Sequence, residues 1–206
     1  MKTLREHIVE GLKIGANTKV NTRNYHPKTK NELNKLIIKL INERGNDADL
    51  NDIDVSEITD MTSMFYNSEF DGDISEWDVS NVTNMSYMFE HSEFNGDISK
   101  WDVSNTEDMS SMFAYSEFNG DISKWNVSNV KNMESMFYCA KFTGENGDIS
   151  EWDVSNVKDM YGMFTGSKFN GDISRWDVSN VEDMDTMFDD TPLEMNPPKW
   201  YKERMK

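Results

Sequence analysis

A 24-residue period constrains this chain more than any other feature. The segments Phe70–Asn81, Phe94–Asn105 and Phe118–Asn129 share the pattern Phe-x-Gly-Asp-Ile-Ser-x-Trp-x-Val-Ser-Asn, each starting 24 residues after the last. Phe142 follows at the same interval, and Phe169 comes after 27 because three extra residues sit around Thr143–Glu145. A fixed period of this size marks a chain of similar units, each too small to bury a core alone and buried by stacking on its neighbours.

Aligning the units exposes the core columns. One holds Leu50, Ile74, Ile98, Ile122, Ile149 and Ile173; three residues on come Ile53, Trp77, Trp101, Trp125, Trp152 and Trp176; two further on come Val55, Val79, Val103, Val127, Val154 and Val178. Two methionine columns, headed by Met61 and Met64, and a phenylalanine column headed by Phe65 complete the unit. The tryptophans are expected in a buried stack. The alternation in Trp77-Asp78-Val79 predicts a short strand with Asp78 facing outward. The spacing of Val82, Met85, Met88 and Phe89 predicts one face of a short helix, with Ser80 or Asn81 as its N-cap. Asn95-Gly96 and its equivalents predict the turn that returns the chain to the next strand. The fold class expected is therefore α/β: a leucine-rich-repeat-like solenoid with one short parallel strand and one short helix per 24-residue coil, and an N-terminal helical cap.

The consensus Asp-Ile-Ser-x-Trp-Asp-Val-Ser-Asn-Val-x-x-Met-x-x-Met-Phe resembles the repeat of the BspA-like bacterial leucine-rich-repeat surface proteins, from residue 50 to about residue 200. The resemblance implies a leucine-rich-repeat-like solenoid with a protein-binding or adhesive role, in a family typically secreted or lipid-anchored.

The ends differ from the body. Residues 1–49 read as an N-terminal helical cap, 50–192 as a six-repeat solenoid, and 193–206 as a half-repeat C-terminal cap and tail. Thr29-Lys-Asn-Glu32 is a capping box, and Leu33, Leu36, Ile37, Leu40 and Ile41 form one helical face that ends at Gly45. A shorter helix is expected from Thr3, with Leu4, Ile8 and Leu12 aligned, and a polar connector over Asn17–His26. Leu193 falls in a phenylalanine column and Trp200 in the tryptophan column, while Pro197 and Pro198 replace Ile-Ser and would stop another strand from adding.

Charge narrows the function. The chain carries a net charge of -17. Residues 50–192 hold 7 basic and 30 acidic residues, so the repeats would repel a phosphate backbone, and no nucleic acid partner is expected. Signal peptide, lipobox and transmembrane patterns are all missing, so no membrane insertion is expected, and a cytoplasmic or virion-associated location follows, with the cell surface implied by the resemblance. The single Cys139 allows no intrachain disulfide. It lies beside Tyr138 in a variable loop column, with Tyr66, His91, Tyr115 and Gly166 in or near equivalent places, and no base is positioned to activate it. His7, His26 and His91 show no metal spacing. Every copy repeats the same aspartates, whereas a catalytic carboxylate pair needs one distinctive environment. The ladders headed by Asp54 and Asp73 are expected to accept hydrogen bonds from Ser, Asn or backbone groups rather than to hold calcium. No catalytic residue, cofactor or metal is assigned.

What varies between copies points to recognition. The position before each tryptophan reads Glu76, Lys100, Lys124, Glu151 and Arg175, and it flanks the outward ladder Asp78, Asp102, Asn126, Asp153 and Asp177. These ten residues are the expected partner-binding set on the sheet face of a monomer, for a protein of basic or mixed charge. Two other functions fit the same sequence: a structural component of a phage virion or other assembly, and a cell-surface adhesin exported by an unrecognised route.

Overall fold

The computed structural model describes residues 23–205. The short helix expected from Thr3, and His7 with it, lie outside these residues. Each coil is a chain of tight turns. In the second coil the N–H of Trp77 donates to the carbonyl of Ile74 (3.2 Å), Val82 to Val79 (2.9 Å), Met88 to Met85 (3.2 Å) and Ser92 to Phe89 (3.1 Å). A turn closed between residues i and i+3 brings both side chains to its inner side, and here all but Ser92 are large and apolar, and all are buried.

This architecture corrects the α/β expectation. Among the described residues the α-helices are α1 (Lys30–Arg44) and α2 (Lys199–Arg204), and neither belongs to a coil. Parallel pairing is confined to isolated bridges, such as those linking Asp60, Asn84, Asp108, Asn132, Asp159 and Asp183, so there is no strand per coil, no helix per coil and no sheet face. The physical reason is that an apolar spacing of three serves a turn corner as well as a helix. A helix is excluded because the backbone turns left-handed twice per coil. Tyr87 and His91 have φ of 57° and 55°, and equivalent residues in the other coils do the same. Trp77-Asp78-Val79, read as a strand, is the link between two turns.

Backbone hydrogen bonds join coil to coil. The N–H groups of Met61, Ser63, Phe65 and Asn67 donate to the carbonyls of Asn84, Ser86, Met88 and Glu90 at 2.8–3.0 Å, and this row recurs up the stack. Two side-chain ladders run beside it. The indole Nε1 of each tryptophan donates to a carbonyl one coil back, Trp101 to Ile74 (3.2 Å) and Trp125 to Ile98 (3.1 Å) among them. Asn105 and its equivalents donate from Nδ2 to a serine carbonyl, here Ser80 at 2.7 Å. All five repeat tryptophans are buried, but the unbroken ring-on-ring run belongs to phenylalanine. Phe65, Phe89, Phe113, Phe137, Phe164 and Phe188 stack at 5.4–6.1 Å between centroids. The glycine read as a turn residue has another cause: a Cβ on Gly96 would meet the Phe94 ring at 2.8 Å, so the residue is small to admit the ring.

The first coil is covered by α1. Thr29 caps the helix by accepting from the Glu32 N–H (3.2 Å), and Gly45 ends it with φ 97°. Leu33, Ile37 and Leu40 join the same buried cluster as the coils. Around them the basic residues of this segment meet the acidic first coil: Arg44 with Asp52 (3.0 Å), Arg23 (2.7 Å) and His26 (3.3 Å) with Asp54, Lys30 with Asp60 (3.0 Å), and Lys28 with Glu57. At the far end Pro198 precedes α2. Trp200 repeats the indole bond of its column, to Ile173 (3.0 Å), and Arg204 donates to the Glu182 carbonyl (3.1 Å). No helix among the described residues is long and apolar enough to cross a membrane.

Asp54 gives the first coil a pH dependence. Burial pushes its carboxyl up, but hydrogen bonds from the Ser56 hydroxyl and N–H and from His26, with the charge of Arg23, outweigh that and bring it down to about 2 from 3.8. A depressed folded value stabilises the protein above pH 3.8, and the contribution is lost as pH falls through about 2. Asp54→Asn is therefore expected to cost about 2 kcal/mol at pH 6 and almost nothing at pH 2. Urea unfolding at the two pH values checks this; an equal cost at both would show that the carboxylate's charge is immaterial.

Candidate functional site

The ten residues expected to bind a partner are all exposed. They stand on turns instead of a sheet. Asp78 accepts from the N–H (3.2 Å) and hydroxyl (2.6 Å) of Ser80, and Asp102, Asn126, Asp153 and Asp177 each accept from the N–H of the serine two residues on. These bonds fix the side-chain oxygens on the turns. The Ser104 hydroxyl and N–H hold Asp102 below the usual carboxylate range against burial, and Ser179 does the same for Asp177. The preceding ladder is built alike, with Asp97 on Ser99 and Asp121 on Ser123.

The residues before the tryptophans do not all stand free. Lys100 reaches back one coil to Glu76 (3.5 Å), and Arg175 to Glu151 (3.1 Å). A second column does likewise, pairing Lys131 with Glu107 (2.7 Å) and Lys158 with Glu182 (3.7 Å). Part of the variation between copies thus has a structural cause, since opposite charges on neighbouring coils pair. Between these pairs lies an open depression of about 460 Å³ that gathers Lys100, Asp102, Lys124 and Asn126 with Ser99 and Trp101. It presents two ammonium groups beside one fixed carboxylate, a set suited to polar contacts with a mixed-charge surface. Glu76, Asp78, Glu151, Asp153, Arg175 and Asp177 do not line it.

The other groups flagged from sequence are scattered. His26 sits against Asp54 and His91 stacks on Tyr115. Around Cys139, burial of the sulfur and the Asp190 carboxylate push the thiol up, which disfavours the thiolate a nucleophile needs. Among the described residues no three His, Cys, Asp or Glu side chains converge as metal ligands.

A second exposed face escaped the sequence reading. It is formed by the exposed members of the columns headed by Thr62, Ser63, Tyr66 and Asn67, on the turns outside the methionine and phenylalanine columns; Ser86, Ser110 and Ala114 in these columns are buried. Tyr66, Tyr87, Tyr115, Tyr138 and Tyr161 all fall in these columns, and none of their residues is lysine or arginine. The signal is the variable loop column around Cys139, where aromatic rings recur among small polar residues.

A family model described as "Mycoplasma protein of unknown function, DUF285" matches residues 34–145 and 115–204. No curated protein and no solved structure matches the chain.

Proposed function

The chain belongs to the DUF285 family, and from that premise we propose that it is a non-enzymatic protein-interaction module that holds a partner of basic or mixed charge against its outward turn columns. The observation that carries this reading is the exposed depression of Lys100, Asp102, Lys124 and Asn126, built on side chains that the core does not need. Aspartate and asparagine oxygens fixed by serine on successive coils give a ligand a regular row of acceptors at low cost in side-chain ordering. In this reading residues 1–49 cap the module, 50–192 carry the contact surface and 193–206 close it. The likeness of the repeat to BspA-like surface proteins supports the same class of function.

Reversing the variable column together (Glu76→Lys, Lys100→Glu, Lys124→Glu, Glu151→Lys, Arg175→Glu) leaves every buried column intact. The expected result is an unchanged circular-dichroism spectrum with reduced capture of the partner from native lysate, and capture by the unaltered chain that weakens as salt rises. Undiminished capture by the variant would remove this column from the contact surface.

A further inference from the structure

Among the described residues the exposed large apolar side chains are Ile38, Tyr66, Tyr87, Tyr115, Tyr161, Met195 and Met205. Four of the seven are tyrosines of the second face. Ile38 adjoins them, lining with Tyr66 a depression of about 350 Å³ between α1 and the first coil. The rings touch in series across coils: Tyr66 on His91 at 6.2 Å, His91 on Tyr115 at 4.4 Å, and Tyr115 on Tyr138 at 5.3 Å. A contiguous aromatic strip therefore runs from the cap to the fourth coil, with Tyr87 and Tyr161 exposed on the same face, and connected apolar surface of this kind marks a contact site more often than scattered residues do.

The backbone gives an independent argument. Tyr87, His91 and Tyr115 stand at left-handed positions, where a side chain carries a conformational cost that glycine avoids. Gly162 and Gly166 occupy the equivalent positions in the fifth coil, so the coil closes without a side chain there. The bulky rings serve neither the core nor the turn.

Charge identifies the partner. The columns that hold Glu76 and Glu107 pair their carboxylates with lysine or arginine of a neighbouring coil, whereas this face contains no lysine or arginine to do so and only the imidazole of His91 beside Glu90. Glu90 and Glu134 lie on it, with Asp185, Asp189 and Asp190 in the last coil. Burial, then the charges of Asp159, Asp108 and Asp183, push the Glu134 carboxyl up, as expected where negative charge is uncompensated. Tyrosine among small polar residues is also the composition of adaptable protein-binding surfaces.

We propose that this tyrosine-bearing face docks an arginine- or lysine-bearing segment of a protein partner, the cations lying against its rings and carboxylates. The proposal rests on the reading of the chain as a protein-interaction module and assigns that module a second contact surface. Guanidinium and ammonium groups are drawn both to tyrosine rings and to unpaired carboxylates, so one ligand satisfies both features.

The test uses the full chain and an octa-arginine peptide, titrated at about 0.15 M salt, where long-range attraction is largely screened. Replacing Tyr66, Tyr87, Tyr115 and Tyr161 with serine leaves the charge unchanged. This variant is expected to bind the peptide at least about tenfold more weakly with an unchanged circular-dichroism spectrum, a loss of roughly 1.4 kcal/mol. A smaller loss overturns the site. No binding of the peptide by the unaltered chain overturns it too. The interaction-module reading is decided separately, by capture of the partner from native lysate with the charge-reversed variant described above, so the site can fail while that reading stands.

Discussion

Replacing Trp125 with alanine is expected to lower the unfolding free energy by roughly 3–5 kcal/mol, the range for emptying a large buried aromatic site. Trp125 lies in the fourth coil of the stack, 3% exposed, with its indole bonded to the Ile98 carbonyl at 3.1 Å. Its ring also packs against Phe113 at 6.3 Å, so the substitution weakens the phenylalanine spine as well as the link between two coils. Chemical denaturation gives the magnitude. Trp125→Phe separates the contributions, because it keeps an aromatic ring but removes the indole bond to the Ile98 carbonyl, which still accepts the Trp101 N–H, at a cost of about 0.5–1.5 kcal/mol. A loss below about 1 kcal/mol for the alanine variant would mean that the column is not a structural spine.

The second large effect is expected at the N-terminal end. Leu33→Asp combined with Leu40→Asp places two carboxylates at positions of 0% exposure, with no cation in the apolar cluster they enter. A buried charge left without a partner is strongly destabilising, so the pair should release α1 from the first coil at a cost of at least about 4 kcal/mol. Leu50, Ile53 and Met61 then lose their cover, and exposed stack ends associate. Size-exclusion chromatography should show a shift from the size of the unaltered chain to larger species. An unshifted, equally stable variant would make α1 an appendage with no share in the core.

The repeat length and the buried columns were legible because burial by stacking forces the same residue types to recur at one interval. The caps of α1 were legible too, since Thr29, Glu32 and Gly45 are chosen by backbone groups at helix ends and not by tertiary context. The local path of the chain was not. Val79 with Val82 and Met85 with Met88 satisfy a helical spacing, yet each pair closes a turn. The left-handed residues that make the difference are Tyr87, His91, Ser111 and Tyr115, where glycine would have given the conformation away. At the candidate site, exposure of the column before tryptophan could be read from the core assignments on either side of it. The pairing of Glu76 with Lys100 and of Glu151 with Arg175 needed the coil-to-coil register, and the aromatic strip needed the turns that place Tyr66, His91 and Tyr115 side by side.

The row of bonds from Met61, Ser63, Phe65 and Asn67 to the following coil, repeated up the stack, has a mechanical meaning. Tension applied to the two ends loads the contacts between one coil and the next, and the end coils, with a neighbour on one side only, give way first. Each coil that peels off frees about 80 Å of contour, at roughly 3.3–3.6 Å per residue. The coil lengthened around Thr143–Glu145 frees slightly more, so under load the molecule lengthens in nearly equal steps, like a tape leaving its spool, with one long step to mark the place of the insertion.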